Sequence, residues 1–374
     1  MKKYFSVLML ALLVSALGVH PSPIKAQEDS LPTLDQLSAG WNTLFPGGDT
    51  KCAHGTDYSF HVRKAESSHL LIFFNGGGAC WFGRICNEGS STYNPAADND
   101  SNNPTALPGG IFDLENPENP FADYNMIFVP YCTGDVHIGN REATYEVEAS
   151  DGSGTQEITI YHYGYKNAMS VLNWTFENFT TPDTIFVAGS SAGSIASPFY
   201  AGLVAEQYAD ARITQLGDGS GGYRAPEGAA LVNEAWGVAS TWPDWEQYAD
   251  ATPETMVFES YYLATAARFP NITMATYNTA NDSTQNLFLA VLGAGSMPLL
   301  ERIQLNNADI ADAVPNFDSY IAGGTLHTIL RMPEFYTYEV EGVRVVDWVT
   351  NLANGEPVDS VTCTDCSKAP DAAE

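Results

Sequence analysis

A short apolar run, a serine turn framed by glycines and a helical pattern follow one another in "TIFVAGSSAGSIASPFYAGLVAEQYA", residues 184–209. Such a segment folds as a buried strand that turns sharply into a helix. Gly189 and Gly193, two residues either side of Ser191, supply the backbone freedom the turn needs. The surrounding sequence repeats the theme. "LLIFF" (70–74), "MIFVP" (126–130) and "ITMATY" (272–277) are apolar runs of strand length, and "ITQLG" (213–217) is a weaker one. Helical periodicity over 166–179, 197–209 and 253–269 separates several of them. Alternation of this kind predicts an α/β fold with a mostly parallel central sheet and helices on both faces. Chemistry in such folds sits in the loops beyond the carboxyl ends of the strands.

The amino terminus reads differently. Lys2 and Lys3 precede an apolar run from Phe5 to Val19, and Ala26 ends a polar exit, the pattern of a secretory leader. Residues 1–26 are therefore expected to be removed, leaving 27–374 as one domain that is secreted, or periplasmic in a two-membrane cell. No further segment is long or apolar enough to anchor it. Removal of 1–26 takes away three lysines and no acid, leaving 13 basic against 45 acidic residues, a net charge of −32. That charge speaks against nucleic acid as a partner. The chain length suffices for one large domain, and the sequence does not set the oligomeric state. Six cysteines in an exported chain favour disulfides. Cys80 with Cys86 and Cys363 with Cys366 are close enough to close local loops, leaving Cys52 with Cys132. Zinc at Cys363 and Cys366 is the alternative, but a second cysteine or histidine pair is missing nearby, so no metal is expected. Residues 94–120, rich in Asn, Asp and Pro, read as a long surface excursion, with Asp98 and Asp100 solvated rather than binding calcium.

Ser191 is the serine with glycine on both sides at elbow spacing, and a hydroxyl needs a base to become a nucleophile. In this architecture the chain order is nucleophile, acid, histidine. One histidine follows Ser191: His327, in "AGGTLHTIL". The acid should lie between them after a strand. Asp282, in "ITMATYNTANDSTQ", is the choice and Asp218, in "QLGDGSGGY", the alternative. Donors for a developing oxyanion are expected from the Ala192 N–H and from Gly76, Gly77 or Gly78, which directly follow the first strand. A phosphate cradle would continue with Gly-Lys-Ser/Thr, whereas Ala79, Cys80 and Trp81 follow here.

Taken in order, "FNGGGACWFGRIC", "PYCTGDVHIGN", "AGSSAGS", the "NDSTQ" loop and "GGTLHTIL" resemble the pectin acetylesterase family, to which the Notum carboxylesterases belong. The similarity runs from about Ser38 to Cys366. It implies an α/β-hydrolase-like fold with Ser191, Asp282 and His327 as triad and Gly77, Gly78 and Ala192 as oxyanion donors. It also implies a disulfide between Cys80 and Cys86. Notum-like members carry a bulky aromatic where this chain has Gly78. Asp135 and His137 belong to the pattern, and either lines the pocket or braces the glycine loop. Trp81 and Tyr223 are candidate sugar platforms or core aromatics. The expected activity is hydrolysis of O-acetyl esters on a polysaccharide such as pectin, or of small esters, without cofactor. Two alternatives stand beside it: a Notum-like or lipase-like deacylase of longer chains, and a non-catalytic glycan-binding protein on the same scaffold.

Overall fold

Leu70, Leu71, Ile72, Phe73 and Phe74 are all fully buried, as a strand covered on both faces must be. They belong to β3 (His69–Phe74), near the middle of a nine-stranded sheet in the computed structural model. The structure describes residues 30–87, 89–149 and 153–370; the leader expected at 1–26 lies outside them. From Pro32 onward the described residues form one compact unit.

The other strands of the sheet are β1 (Gly40–Leu44), β2 (Phe60–Lys64), β4 (Asn125–Val129), β7 (Thr184–Ser190), β8 (Arg212–Asp218), β9 (Thr273–Thr279), β10 (Phe317–Ala322) and β13 (Val361–Thr362). Their spatial order is β1-β2-β4-β3-β7-β8-β9-β10-β13. The β1–β2 and β2–β4 pairings are antiparallel and the rest are parallel, so the expected mostly parallel sheet is what the chain builds. A second ribbon pairs β5 (Arg141–Glu148) with β6 (Thr155–His162), and a third pairs β11 (Glu339–Val340) with β12 (Val343–Arg344).

Among the described residues eight α-helices accompany the sheet: α1 (Gly83–Cys86), α2 (Gly164–Asn178), α3 (Ala192–Gln207), α4 (Pro226–Trp236), α5 (Phe258–Arg268), α6 (Ser283–Val291), α7 (Leu299–Ala313) and α8 (Val345–Asn354). Alternation along β3 sends Phe74 to Tyr200 of α3, stacked at 4.5 Å, and Phe73 to the opposite face against Phe112 at 5.1 Å. On that second face Trp348, Val349 and Leu352 of α8 close the core. Each such buried side chain contributes about 2 kcal/mol by area. Pro198 inside α3 removes one backbone donor, and Ser197 Oγ fills the gap by donating to the Ser194 carbonyl at 3.0 Å.

The stretch 94–120 departs from the surface reading. It carries turns and two short 3₁₀ segments, and it drives Ile111 and Phe112, with Phe121 just beyond it, into the core with almost no exposure. Asn119 makes this possible: its side-chain amide donates to the Ile111 and Asp113 carbonyls and its oxygen accepts from Phe121 N–H. The polar composition supplies the hydrogen bonds of a buried loop. Cys52–Cys132, Cys80–Cys86 and Cys363–Cys366 are the disulfides. The first closes the longest loop and contributes roughly 4 kcal/mol by chain entropy.

Candidate active site

Ser191 stands between β7 and α3 with φ 53° and ψ −119°, a conformation costly for any residue with a side chain. Its neighbours explain the glycines. A Cβ on Gly189 would lie 2.1 Å from the Gly193 carbonyl oxygen, and one on Gly193 would lie 2.0 Å from the Phe74 carbonyl oxygen. Either substitution would force backbone apart at the turn.

His327 follows β10 on an irregular segment. Its Nε2 lies 2.8 Å from Ser191 Oγ and its Nδ1 lies 2.6 Å from Asp282 Oδ2. A carboxylate accepts, so Nδ1 carries the hydrogen and Nε2 is left to accept from the hydroxyl. Asp282 is fully buried at the start of α6, where Oδ1 accepts from the N–H groups of Thr284 and Gln285 at 2.8 and 3.0 Å. The amide of Gln285 donates to Oδ2 at 3.0 Å. The residue thus caps a helix with one oxygen and holds the imidazole with the other. Asp218, the alternative acid, does not bond the ring. Its carboxylate accepts from Ser190 Oγ and from the N–H groups of Ile329 and Leu330.

The glycine loop passes directly over the turn. A Cβ on Gly76 would lie 2.8 Å from Ser191 Cβ, and Gly78 has φ +78° with the Thr92 carbonyl oxygen 1.9 Å from where a Cβ would stand. An aromatic at position 78 would therefore require a different path for this loop. The loop is held by its edges. Asn94 N–H donates to Gly77 O, Ala79 N–H to Thr92 O and Cys80 N–H to Gly134 O. The N–H groups of Gly77, Gly78 and Ala192 make no hydrogen bond among the described residues.

Asp135 and His137 brace this loop. His137 Nε2–H donates to the carbonyl of Asn75, the residue before the glycines, at 2.8 Å. Burial pushes its imidazole down to about 4, so it is neutral. Val136 and His137 both have positive φ, and Asp135 pins that turn by accepting from Thr133 Oγ1 and Gly164 N–H. Burial pushes the Asp135 carboxyl up to about 7, against the pull of those hydrogen bonds. The sequence left the roles of both residues open; only the fold shows that position 137 reaches back to Asn75.

Two cavities meet at Ser191. One, of about 100 Å³, is walled by Trp81, Ile138, Ile195, Trp236 and Phe258, with Tyr223 also on its lining. Trp81 is thus a wall of an apolar pocket rather than an exposed platform. The other is a groove of about 950 Å³ that runs past Gly76–Gly78, Asn94, His327 and Arg331. None of its described lining residues is Asp or Glu. A hydroxyl, imidazole and carboxylate linked in a row, beside unpaired backbone N–H groups, can deprotonate the hydroxyl and receive an oxyanion.

Residues 46–229 match the family described as pectinacetylesterase. That segment belongs to the pectinacetylesterase family. The chain's sheet and accompanying helices are the α/β-hydrolase-like fold of that family. Among curated relatives, the palmitoleoyl-protein carboxylesterase notum2 of Xenopus laevis is 32% identical over 148 residues, 38% of this chain and 27% of that protein. The human palmitoleoyl-protein carboxylesterase NOTUM is 25% identical over 191 residues, 50% of this chain and 34% of that protein. An inactive palmitoleoyl-protein carboxylesterase, notum1b of Danio rerio, is 28% identical over 103 residues, 27% of this chain and 74% of that protein. The chain thus spans about a third or less of the length of the Xenopus and human relatives. Because one relative is named inactive, family membership alone does not carry activity, and the site must be argued on its own geometry.

Proposed function

We propose that this protein is an exported serine carboxylesterase that removes a short acyl group from a carbohydrate ester through an acyl-enzyme. The observation that carries the reading is the hydrogen-bonded row Ser191–His327–Asp282 at 2.8 and 2.6 Å beside unpaired N–H groups. Ser191 Oγ attacks the ester carbonyl while His327 Nε2 takes its proton. Asp282 accepts from Nδ1–H and stabilises the imidazolium. The carbonyl oxygen, now an oxyanion, accepts from the N–H groups of Gly77, Gly78 and Ala192. Collapse expels the alcohol, which takes the proton from Nε2. Water then attacks the acyl-Ser191 ester with His327 again as base, releasing the acid and restoring the hydroxyl. Three disulfides suit the oxidising compartment expected of an exported chain.

The two cavities orient the ester. The apolar pocket suits the acyl group, and the larger groove suits the alcohol, with room for sugar residues. One observation favours a second reading, in which longer acyl chains are also removed. A single water needs about 10–15 Å³ of such space, so the apolar pocket exceeds what one methyl fills. Hydrolysis of p-nitrophenyl acetate, butyrate and palmitate, with Ser191→Ala in parallel, separates these readings. Highest kcat/KM on acetate or butyrate, abolished in the variant, is the expected result. A palmitate preference would favour the second reading. Equal rates for both proteins would exclude Ser191 as nucleophile, and no turnover of any ester would favour a binding protein on this scaffold.

A further inference from the structure

His327 lies on a segment, residues 323–329, that has neither helix nor strand to hold it. Its ring meets Ser191 and Asp282, but something must also fix its backbone. We infer that Asp218 is a positioning residue that ties the His327 loop to the Ser191 turn and so sets the hydroxyl–imidazole separation. The inference rests on the proposed roles of Ser191 and His327.

The tie runs in both directions from one buried residue. Asp218 ends β8 opposite Ser190, the last residue of β7. Its backbone carbonyl accepts the Ser191 N–H at 2.7 Å. Its fully buried carboxylate accepts from the N–H groups of Ile329 and Leu330, two and three residues past His327, at 3.0 Å. Ser190 Oγ, beside the nucleophile, donates to the same carboxylate at 2.7 Å. The next two residues repeat the pattern. A Cβ on Gly219 would stand 2.5 Å from the His327 carbonyl oxygen, so that backbone lies directly against the histidine. Ser220 Oγ donates to the Ser191 carbonyl at 2.7 Å. Residues 218–220 therefore touch the main chain of both partners in the proposed proton transfer.

The side chain at 218 must be a carboxylate for a chemical reason. Three donors converge on it, one hydroxyl and two N–H groups, and an asparagine would turn its own NH₂ toward at least one of them. No cation pairs with it among the described residues, and burial pushes its carboxyl up to about 6 despite those donors. A buried carboxylate without a cation is costly, yet an apolar residue in its place would leave all three donors buried and unpaired. The titratable groups facing it are His327 from the loop and Tyr277 from β9.

The test compares Asp218→Asn and Ser190→Ala with wild type and Ser191→Ala on p-nitrophenyl acetate, using folded protein checked by circular dichroism. Asp218→Asn is expected to lower kcat about 10- to 100-fold with KM nearly unchanged, the scale of a displaced catalytic group. The far-downfield proton of the His327–Asp282 hydrogen bond should shift or broaden with it. Ser190→Ala removes one donor to the charged form. Its kcat should fall less, and the acid limb of its kcat/KM profile should move to higher pH. If Asp218→Asn does not fold, the Ser190→Ala profile decides. Wild-type kcat, acid limb and downfield resonance in the folded variants, with Ser191→Ala inactive, would overturn the inference alone. Activity surviving in Ser191→Ala would instead overturn the reading on which it rests.

Discussion

Ser191 occupies a backbone conformation that persists only because its surroundings over-determine it: Gly189 and Gly193 permit the approach of three chain segments, and Asp218 O and Ser220 Oγ hold its peptide groups. At this scale the glycines of the loop are the sharpest probes. Gly78→Ala combines a left-handed φ with a clash on the Thr92 carbonyl, and the backbone must shift where an oxyanion donor is proposed. Loss of such a donor costs about 10²- to 10³-fold in kcat. Steady-state kinetics of Gly78→Ala should show a fall of that size, and an unchanged kcat would remove Gly78 from the oxyanion site. Ser191, Asp282 and His327 were legible as candidates because strand context, chain order and a single downstream histidine narrow the choice sharply. His137 and Asp218 were not legible in role, because what they bind is set by backbone atoms 62 and 111 residues away.

Helix α6 begins on Asp282, so one residue serves an element and the site at once. Asparagine is an equally good cap, which lets the two roles be separated. Asp282→Asn should leave the thermal midpoint within a few degrees while lowering kcat by about 10³- to 10⁴-fold through loss of the imidazole's orientation. A matching loss of stability would show that the cap, not the orientation, dominates. The loop after β3 rests on His137 in a comparable way. Its folded pKa of about 4 lies below the value of about 6.5 in the unfolded chain. As pH falls from 6.5 towards 4 the unfolded chain takes up a proton that the folded one refuses, and stability is lost. His137→Gln keeps a donor for Asn75 without titrating. Denaturant melts should therefore show wild type losing up to about 3 kcal/mol relative to this variant across that window, and a constant difference would mean that His137 is charged in the fold. Of the elements, the fully apolar strands were legible. β10 was not, because Asp318 and Ser319 interrupt the apolar run of "FDSYIA", and the Asn- and Pro-rich stretch hid Ile111 and Phe112 behind its composition.

For the whole molecule, the excess of acids and the acid-free groove act at different ranges. The 45 acids of the sequence set a long-range repulsion of polyanions, while the groove itself offers Arg331 and no carboxylate. Salt screens the first beyond about 8 Å at physiological strength and leaves the second intact. Deacetylation of demethylated, polyanionic pectin should therefore speed up several-fold between low and physiological salt, with p-nitrophenyl acetate turnover unchanged. Equal salt responses would show that the net charge does not govern access. The excess of acids was legible from composition, whereas its exclusion from the groove depends on folding. The central claim, that Ser191 is the nucleophile, is tested most directly by reaction with a serine-directed fluorophosphonate followed by peptide mapping. A single adduct on Ser191 that tracks loss of activity, absent from Ser191→Ala and slowed in a His327 variant, is the predicted result. Loss of activity with the adduct elsewhere, or retention of activity with Ser191 fully labelled, would contradict it.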